Sequence, residues 1–442
     1  MNYLRQSMFI AYYLINCILA RDFFAIVLTI PMFALCVVGV SLQKSKWFTI
    51  DDMIWFIAYM FFVIAPLQGI NHGHITDGPV DLIEFTNEQF IKAMLEILIF
   101  FVVFLVVRLI YDDKASRKMI VDVNNVPSLL LLLLSVVAFI GVVVGAGGFG
   151  NLLATRYDKD ASMMSVIQFP AEAAQLVITF VIVLQYKNSV GINRLFLFFI
   201  TLVALIFLTI CENPINTSRY FLLAAWFPVA YIWFNGKLPF RVIYVLLFLS
   251  MLFVMPILNL TSREGATFLD AIDNTDFSSG IFRIPFIDVF DMSVFQMLHS
   301  TDDKYYWGQK TLGLIFFFVP RDIWTAKATL SGLDLGTFLA EYRIAGTANL
   351  SFFVAGDFYA DLGFVGVAIG AIVLNVYLCR GLLRNKILFN GIDLRGGILT
   401  AAMPILIRGP LGANVGLTFL EILILSLLTV LVRRQKNALV RE

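Results

Sequence analysis

The chain is divided into apolar runs of nearly membrane-crossing length joined by short polar hinges, a pattern that leaves few folds open. A helix needs roughly 20 apolar residues to cross a hydrocarbon core of about 30 Å. By that rule twelve candidate spans follow, at approximately residues 3–20, 23–42, 52–69, 90–110, 127–147, 163–185, 195–211, 219–235, 240–259, 359–379, 396–409 and 415–432. The eleventh is the shortest. Composition points the same way: 60% hydrophobic and 14% charged residues stand against about a quarter charged in soluble domains. The expected fold is an all-α, polytopic membrane protein, one integral membrane domain over residues 1–442. The run Met8 to Ala20 lacks a small-residue cleavage site and is followed at once by another apolar run, so it reads as the first membrane helix and not as a signal peptide.

One long interruption stands out, from Leu260 to Leu350. It mixes Arg263, Glu264, Arg283, Asp288, Asp291, His299, Lys304, Arg321, Lys327 and Glu341 with aromatics and with apolar pieces such as Leu312 to Val319. A linker does not need so many large apolar side chains, and an independent soluble domain is usually longer and less broken. Residues 260–350 are therefore expected to form a partly helical cap on the membrane body.

Lys and Arg in short hinges favour the cytoplasm. The hinges holding Lys44 and Lys46, Arg117 and Lys118, Lys187 and Arg194, Lys237 and Arg241, Arg380 and Arg384, and the tail at Arg433 and Arg434 alternate with poorer ones, which places both termini in the cytoplasm. The cap then lies outside. Neither ATP nor a nucleotide sugar is available there, and the sequence has no Walker or dinucleotide glycine pattern. Energy must come with the substrate or from a gradient.

Cys17, Cys36, Cys211 and Cys379 sit singly in or at the ends of apolar runs, as small buried hydrophobes do. His72 and His74, in Asn71-His72-Gly73-His74, have metal-binding spacing but no matching cysteine, and Asp302-Asp303 lacks a partner. No metal or other cofactor is expected, and no nucleic acid.

Several outer basic residues fall at span ends: Arg219 opens a helix, Arg263 follows one, and Arg408 precedes Gly409-Pro410. A single boundary arginine often only snorkels to the headgroups. Several grouped together suit a lipid-linked pyrophosphate whose tail stays in the bilayer, because guanidinium groups bind phosphate through paired donors and stabilise a departing charge. Within the spans, Gln168, Glu172 and Gln175 share one helix face and Glu421 lies in the last run. These polar groups read either as interhelical hydrogen bonding or as the lining of a hydrophilic cavity holding Glu172 and Glu421.

Four places resemble the Wzy-type oligosaccharide repeat-unit polymerases of bacterial surface polysaccharide synthesis. They are Asn216-Thr217-Ser218-Arg219 opening a helix, Thr261-Ser262-Arg263-Glu264 after the ninth span, the segment Phe318 to Lys327 with Pro320, Arg321 and Trp324, and Gly356 to Gly366 together with Leu406 to Gly409. The likeness extends over nearly the whole chain in span number and in the late outer segment, while Asp357 stands where that family varies. The resemblance implies a glycosyltransferase at the periplasmic face of the bacterial inner membrane. One undecaprenyl-pyrophosphate-linked glycan would pass to the terminal hydroxyl of a second lipid-linked repeat unit, with a separate chain-length-determinant protein as partner. Arg219, Arg263, Arg283, Arg321, Lys327 and Arg408 are the candidates for the pyrophosphates. Glu264, His299 and Asp357 are the candidate bases, Asp357 otherwise being an acid favoured by a helix N-terminus. The competing readings are an O-antigen ligase, which differs in acceptor, and a lipid-linked oligosaccharide flippase or transporter, which usually shows two related halves.

Overall fold

The computed structural model describes residues 3–76, 80–110, 117–154, 165–213, 217, 219–264, 270, 272–273, 288–300, 305–316, 319, 323–329, 331–341, 351–376, 385–409 and 411–439. All twelve expected runs coincide with helices: α1 (Tyr3–Leu19), α2 (Phe23–Ser41), α3 (Ile50–Gly69), α4 (Asn87–Ile110), α5 (Ser128–Gly145), α6 (Ser165–Asn188), α7 (Ile192–Cys211), α8 (Arg219–Trp233), α9 (Phe240–Leu249, continuing through Ser250–Val254 into Met255–Glu264), α13 (Val354–Val373), α14 (Leu394–Arg408) and α15 (Leu411–Leu439). Eight helices among the described residues are long and apolar enough to cross a membrane. Helix α1 has 17 residues, α8 and α14 have 15 each, and the apolar part of α15 is the shorter stretch Gly416–Val430.

Hinges expected on one side meet one another. Strand β3 (Arg117–Val121) pairs in parallel with β4 (Asn385–Phe389), joining the hinges before α5 and before α14. Phe48 N–H donates to Leu238 O at 2.8 Å, and Lys187 Nζ donates to Trp233 O at 2.6 Å. At the other end, His72 N–H donates to Asp22 Oδ2 at 3.0 Å. The sorting by charge therefore agrees with the two ends of the bundle.

Two large apolar cores result, with a small third cluster of Val142, Ala146, Leu152 and Cys211. One gathers Phe9, Trp55, Phe61, Phe100 and Phe353, the other Leu131, Val181, Leu208 and Leu425. Helices α8 and α14 contribute to both and form the seam between them. They run antiparallel: a Cβ on Gly397, near the start of α14, would lie 2.7 Å from the Tyr231 ring near the end of α8, while Arg408 lies over Tyr220 at the opposite ends. At about 1.5 Å per residue each extends about 22 Å, short of the roughly 30 Å core. Arg219 and Arg408 thus stand at the same end of two short helices.

The cap does more than rest on this body. Its helix α10 (Val289–His299) is buried from Val289 to Met297, within the same core as Phe61 and Phe100. Backbone can enter at membrane depth when protein surrounds it. Two further cap helices, α11 (Gln309–Ile315) and α12 (Ser331–Glu341), pack on α13, and α12 buries Leu335 and Leu339 in the same core.

Helix α13 is broken. Leu362 (φ −143°, ψ 17°) and Gly363 (φ 61°, ψ −146°) leave helical geometry. A Cβ on Gly370 would lie 2.5 Å from the Phe358 ring, although residues twelve apart in a straight helix are about 18 Å apart. The second half therefore folds back on the first. Gly363 occupies backbone space that is essentially glycine-only, and a Cβ there would meet Tyr305 Oη at 3.0 Å. Gly363→Ala is expected to destabilise the protein by about 1–3 kcal/mol, read as a lower unfolding temperature. Gly150→Ala, where a Cβ meets nothing within 4 Å, serves as the control that stays near wild type.

Candidate functional site

Helix pairing sets the position of the site. Because α8 and α14 run antiparallel, the start of one meets the end of the other, and Arg219, Tyr220 and Arg408 converge at one end of the seam. The Arg408 guanidinium lies over the Tyr220 ring with its carbon 4.7 Å from the centroid, and Tyr220 in turn meets Phe61 edge-on at 5.9 Å. Arg219 is buried and its Nη1 donates to Met255 O at 3.1 Å. Met255 follows the π-helical turn Ser250–Val254 of α9. Such turns displace carbonyls from the regular helical ladder and recur at functional sites.

Two helix N-termini reach the same place. Arg408 Nη2 donates to Asp288 Oδ1 at 3.2 Å, and Asp288 immediately precedes α10. The carbonyl of Arg408 accepts Phe352 N–H at 2.6 Å, two residues before α13 begins. Phe353 then packs against Phe62 (4.8 Å) and Phe100 (5.1 Å), well inside the bundle. Helix N-termini carry partial positive charge, so two helix starts and two arginines concentrate positive potential at this end of the seam. Asp288 balances part of it. Burial, with the Asp288 carboxylate second, pushes Asp291 well above the usual carboxylate range. This arrangement can hold a polyanionic headgroup whose hydrocarbon remains in lipid.

The other expected site residues divide between separate roles. Asp357 is buried, and its Oδ1 accepts Ser331 N–H at 3.4 Å at the start of α12. One turn on, Asp361 accepts from Lys310 N–H (3.0 Å) and Thr311 N–H (2.7 Å) at the start of α11. These two carboxylates fasten these two cap helices to the first half of α13. Asp357 is thus an anchor in this structure, and it lies in the first turn of α13, in line with its reading as an acid at a helix N-terminus. Lys310 adds an ion pair to Asp334 and lies 4.4 Å from the Tyr306 ring centroid.

Lys327 Nζ donates to Phe316 O and Val319 O, both at 3.0 Å, so it caps the end of α11. His299 is exposed at the end of α10, its ring 4.1 Å from that of Phe338. Arg263 and Glu264 close α9, with side chains outside the described set, and Arg283 and Arg321 lie outside the described residues altogether, as do Asp302 and Asp303. Glu172 accepts from Gln168 Nε2 at 2.7 Å, and Gln175 bonds Ser135, so this face of α6 makes the interhelical and local hydrogen bonds of the plainer reading. Glu421 is buried on α15. His72 (φ 46°) and Gly73 (φ 85°) form the two-residue turn of the hairpin β1 (Ile70–Asn71) to β2 (His74–Ile75), and His74 Nδ1 lies 3.2 Å from Ile83 O.

Sequence reasoning gave no role to Asp288, Asp291, Tyr220 or Asp361. A usable signal existed for the last: Asp357 and Asp361 are four residues apart and share one helix face. No family model, curated protein or solved structure matches the chain.

Proposed function

We propose that the chain is a glycosyltransferase that polymerises lipid-pyrophosphate-linked oligosaccharide repeat units at the outer face of the bacterial inner membrane, with both termini in the cytoplasm. The observation that carries this reading is the convergence of Arg219 and Arg408 with the starts of α10 and α13 at one end of the bundle. A lipid pyrophosphate reaches such a place with its tail still in the bilayer. In the reaction, the acceptor hydroxyl oxygen attacks the anomeric carbon of the donor glycan. The bond from that carbon to the pyrophosphate oxygen breaks, the lipid pyrophosphate leaves with the electron pair, and the hydroxyl proton passes to a base. Arginines that hold the leaving group lower the barrier most. Glu264, His299 and Asp357 are the candidate bases of this reading, Asp357 being also an anchor of the cap.

Deletion of the gene is expected to leave single repeat units joined to the lipid core, seen as one band in place of a ladder on a gel of surface polysaccharide. Loss of all such material supports the flippase alternative, and polymer that is made but not joined to core supports a ligase. A chain-length-determinant protein and membrane lipids are the partners of this reading.

A further inference from the structure

The ion pair between Arg408 and Asp288 is half-formed. Nε and Nη2 make one edge of a guanidinium, the edge that meets a carboxylate or phosphate with two parallel hydrogen bonds. Asp288 engages only Nη2, at 3.2 Å, longer than the roughly 2.7–2.9 Å of a charge-assisted bond. The Nε of Arg408 is buried and has no hydrogen-bond partner among the described residues. The two side chains are only 17% and 9% exposed, so solvent does little to complete the fork. The Tyr220 ring fixes the plane of the guanidinium from one face. A loose, one-pronged carboxylate on a rigid, two-pronged cation is the arrangement expected where a better anion is meant to bind.

We propose that Asp288 is an internal competitor for Arg408: its carboxylate holds the guanidinium in place in the empty site and gives way when a phosphate oxygen pair takes the Nε–Nη2 edge. The inference rests on the lipid-pyrophosphate reading above and adds a selection rule to it. Asp288 sets a threshold that a singly charged, one-pronged headgroup does not pass and a pyrophosphate does. Its position before α10 also ties the exchange to the helix that carries the cap inward.

The test measures binding of farnesyl pyrophosphate to the purified full-length chain in lipid nanodiscs. Asp288→Asn removes the charge yet keeps a side chain that serves equally well before a helix, and it is expected to bind about tenfold more tightly than wild type. Asp288→Ser, also suited to that position, provides the same comparison should the asparagine variant fold poorly. Arg408→Ala is expected to lose binding in either background. If wild type binds and neither Asp288 variant binds more tightly, the competitor role is wrong while the proposed function stands. If neither wild type nor the variants bind the probe, the lipid-pyrophosphate reading fails, and this inference with it.

Discussion

Replacing Arg408 by lysine is expected to cut chain extension about 100- to 1,000-fold, the usual cost of removing one donor aimed at developing negative charge. Lysine keeps the positive charge and a long apolar stem, so the buried Asp288 retains a counter-ion. What it loses is the planar fork, because an ammonium is a point charge that cannot present two parallel donors. The Arg408 carbonyl, which accepts Phe352 N–H at 2.6 Å, is unaffected by the change. Arg408→Ala is a less informative variant, since leaving the Asp288 carboxylate without this partner also threatens folding. Polysaccharide length on a gel, set against the amount of protein in the membrane, separates the two effects. A full ladder from Arg408→Lys at normal protein levels would remove Arg408 from the pyrophosphate site. Arg219 gives a second reading of the same pocket: its Nη1 is held by Met255 O, and Arg219→Lys should also shorten chains.

The helices and their sorting into two ends were legible because both depend on local composition. Apolar run length determines whether a segment can cross, and hinge lysines and arginines such as Lys118 and Lys386 mark one side, where β3 and β4 pair. Helix α10 was not legible on those terms. Eleven residues are too few to span, so Val289 to His299 read as part of an outer cap, and their burial depends on α3 and α4, far earlier in the chain. The fold-back of α13 was equally hidden. Gly363 is one of several glycines in that run, and only its φ of 61° sets it apart from Gly366 and Gly370, which receive Phe358.

The candidate site followed the same division. Arg219 and Arg408 stood out because span ends can be counted, and the antiparallel pairing of α8 and α14 brings those ends together. Lys327 carried the same charge and a similar motif, yet it caps the carbonyls of α11. Charge alone does not distinguish an arginine awaiting a ligand from a lysine completing a helix. The difference lies in the remaining donors: Arg408 retains a buried Nε with no partner among the described residues.

The largest stability effect is expected far from that site, at the end of the bundle where α1, α3 and α9 meet. Asp52→Ala should cost about 3–5 kcal/mol, because it strands a buried charge. Arg5 and Asp52 are both fully buried. Arg5 Nε lies 2.8 Å from Asp52 Oδ1, and Nη2 donates to Asp52 Oδ2 at 3.2 Å and to Ser45 O at 2.9 Å. The guanidinium also lies 3.9 Å from the Phe240 ring centroid. Asp52 has further duties: Thr49 N–H donates to it at 2.9 Å in the capping box of α3, and Tyr244 Oη donates to it at 3.2 Å. Removing Asp52 leaves Arg5 with backbone carbonyls and an aromatic face but no counter-ion. The double variant Arg5→Met/Asp52→Leu removes both charges and is expected to lose only about 1–2 kcal/mol, chiefly the cap. Unfolding of the purified single and double variants in one detergent provides the comparison. A double variant as unstable as Asp52→Ala would mean that the pair itself, and not the avoidance of a stranded charge, holds this end together.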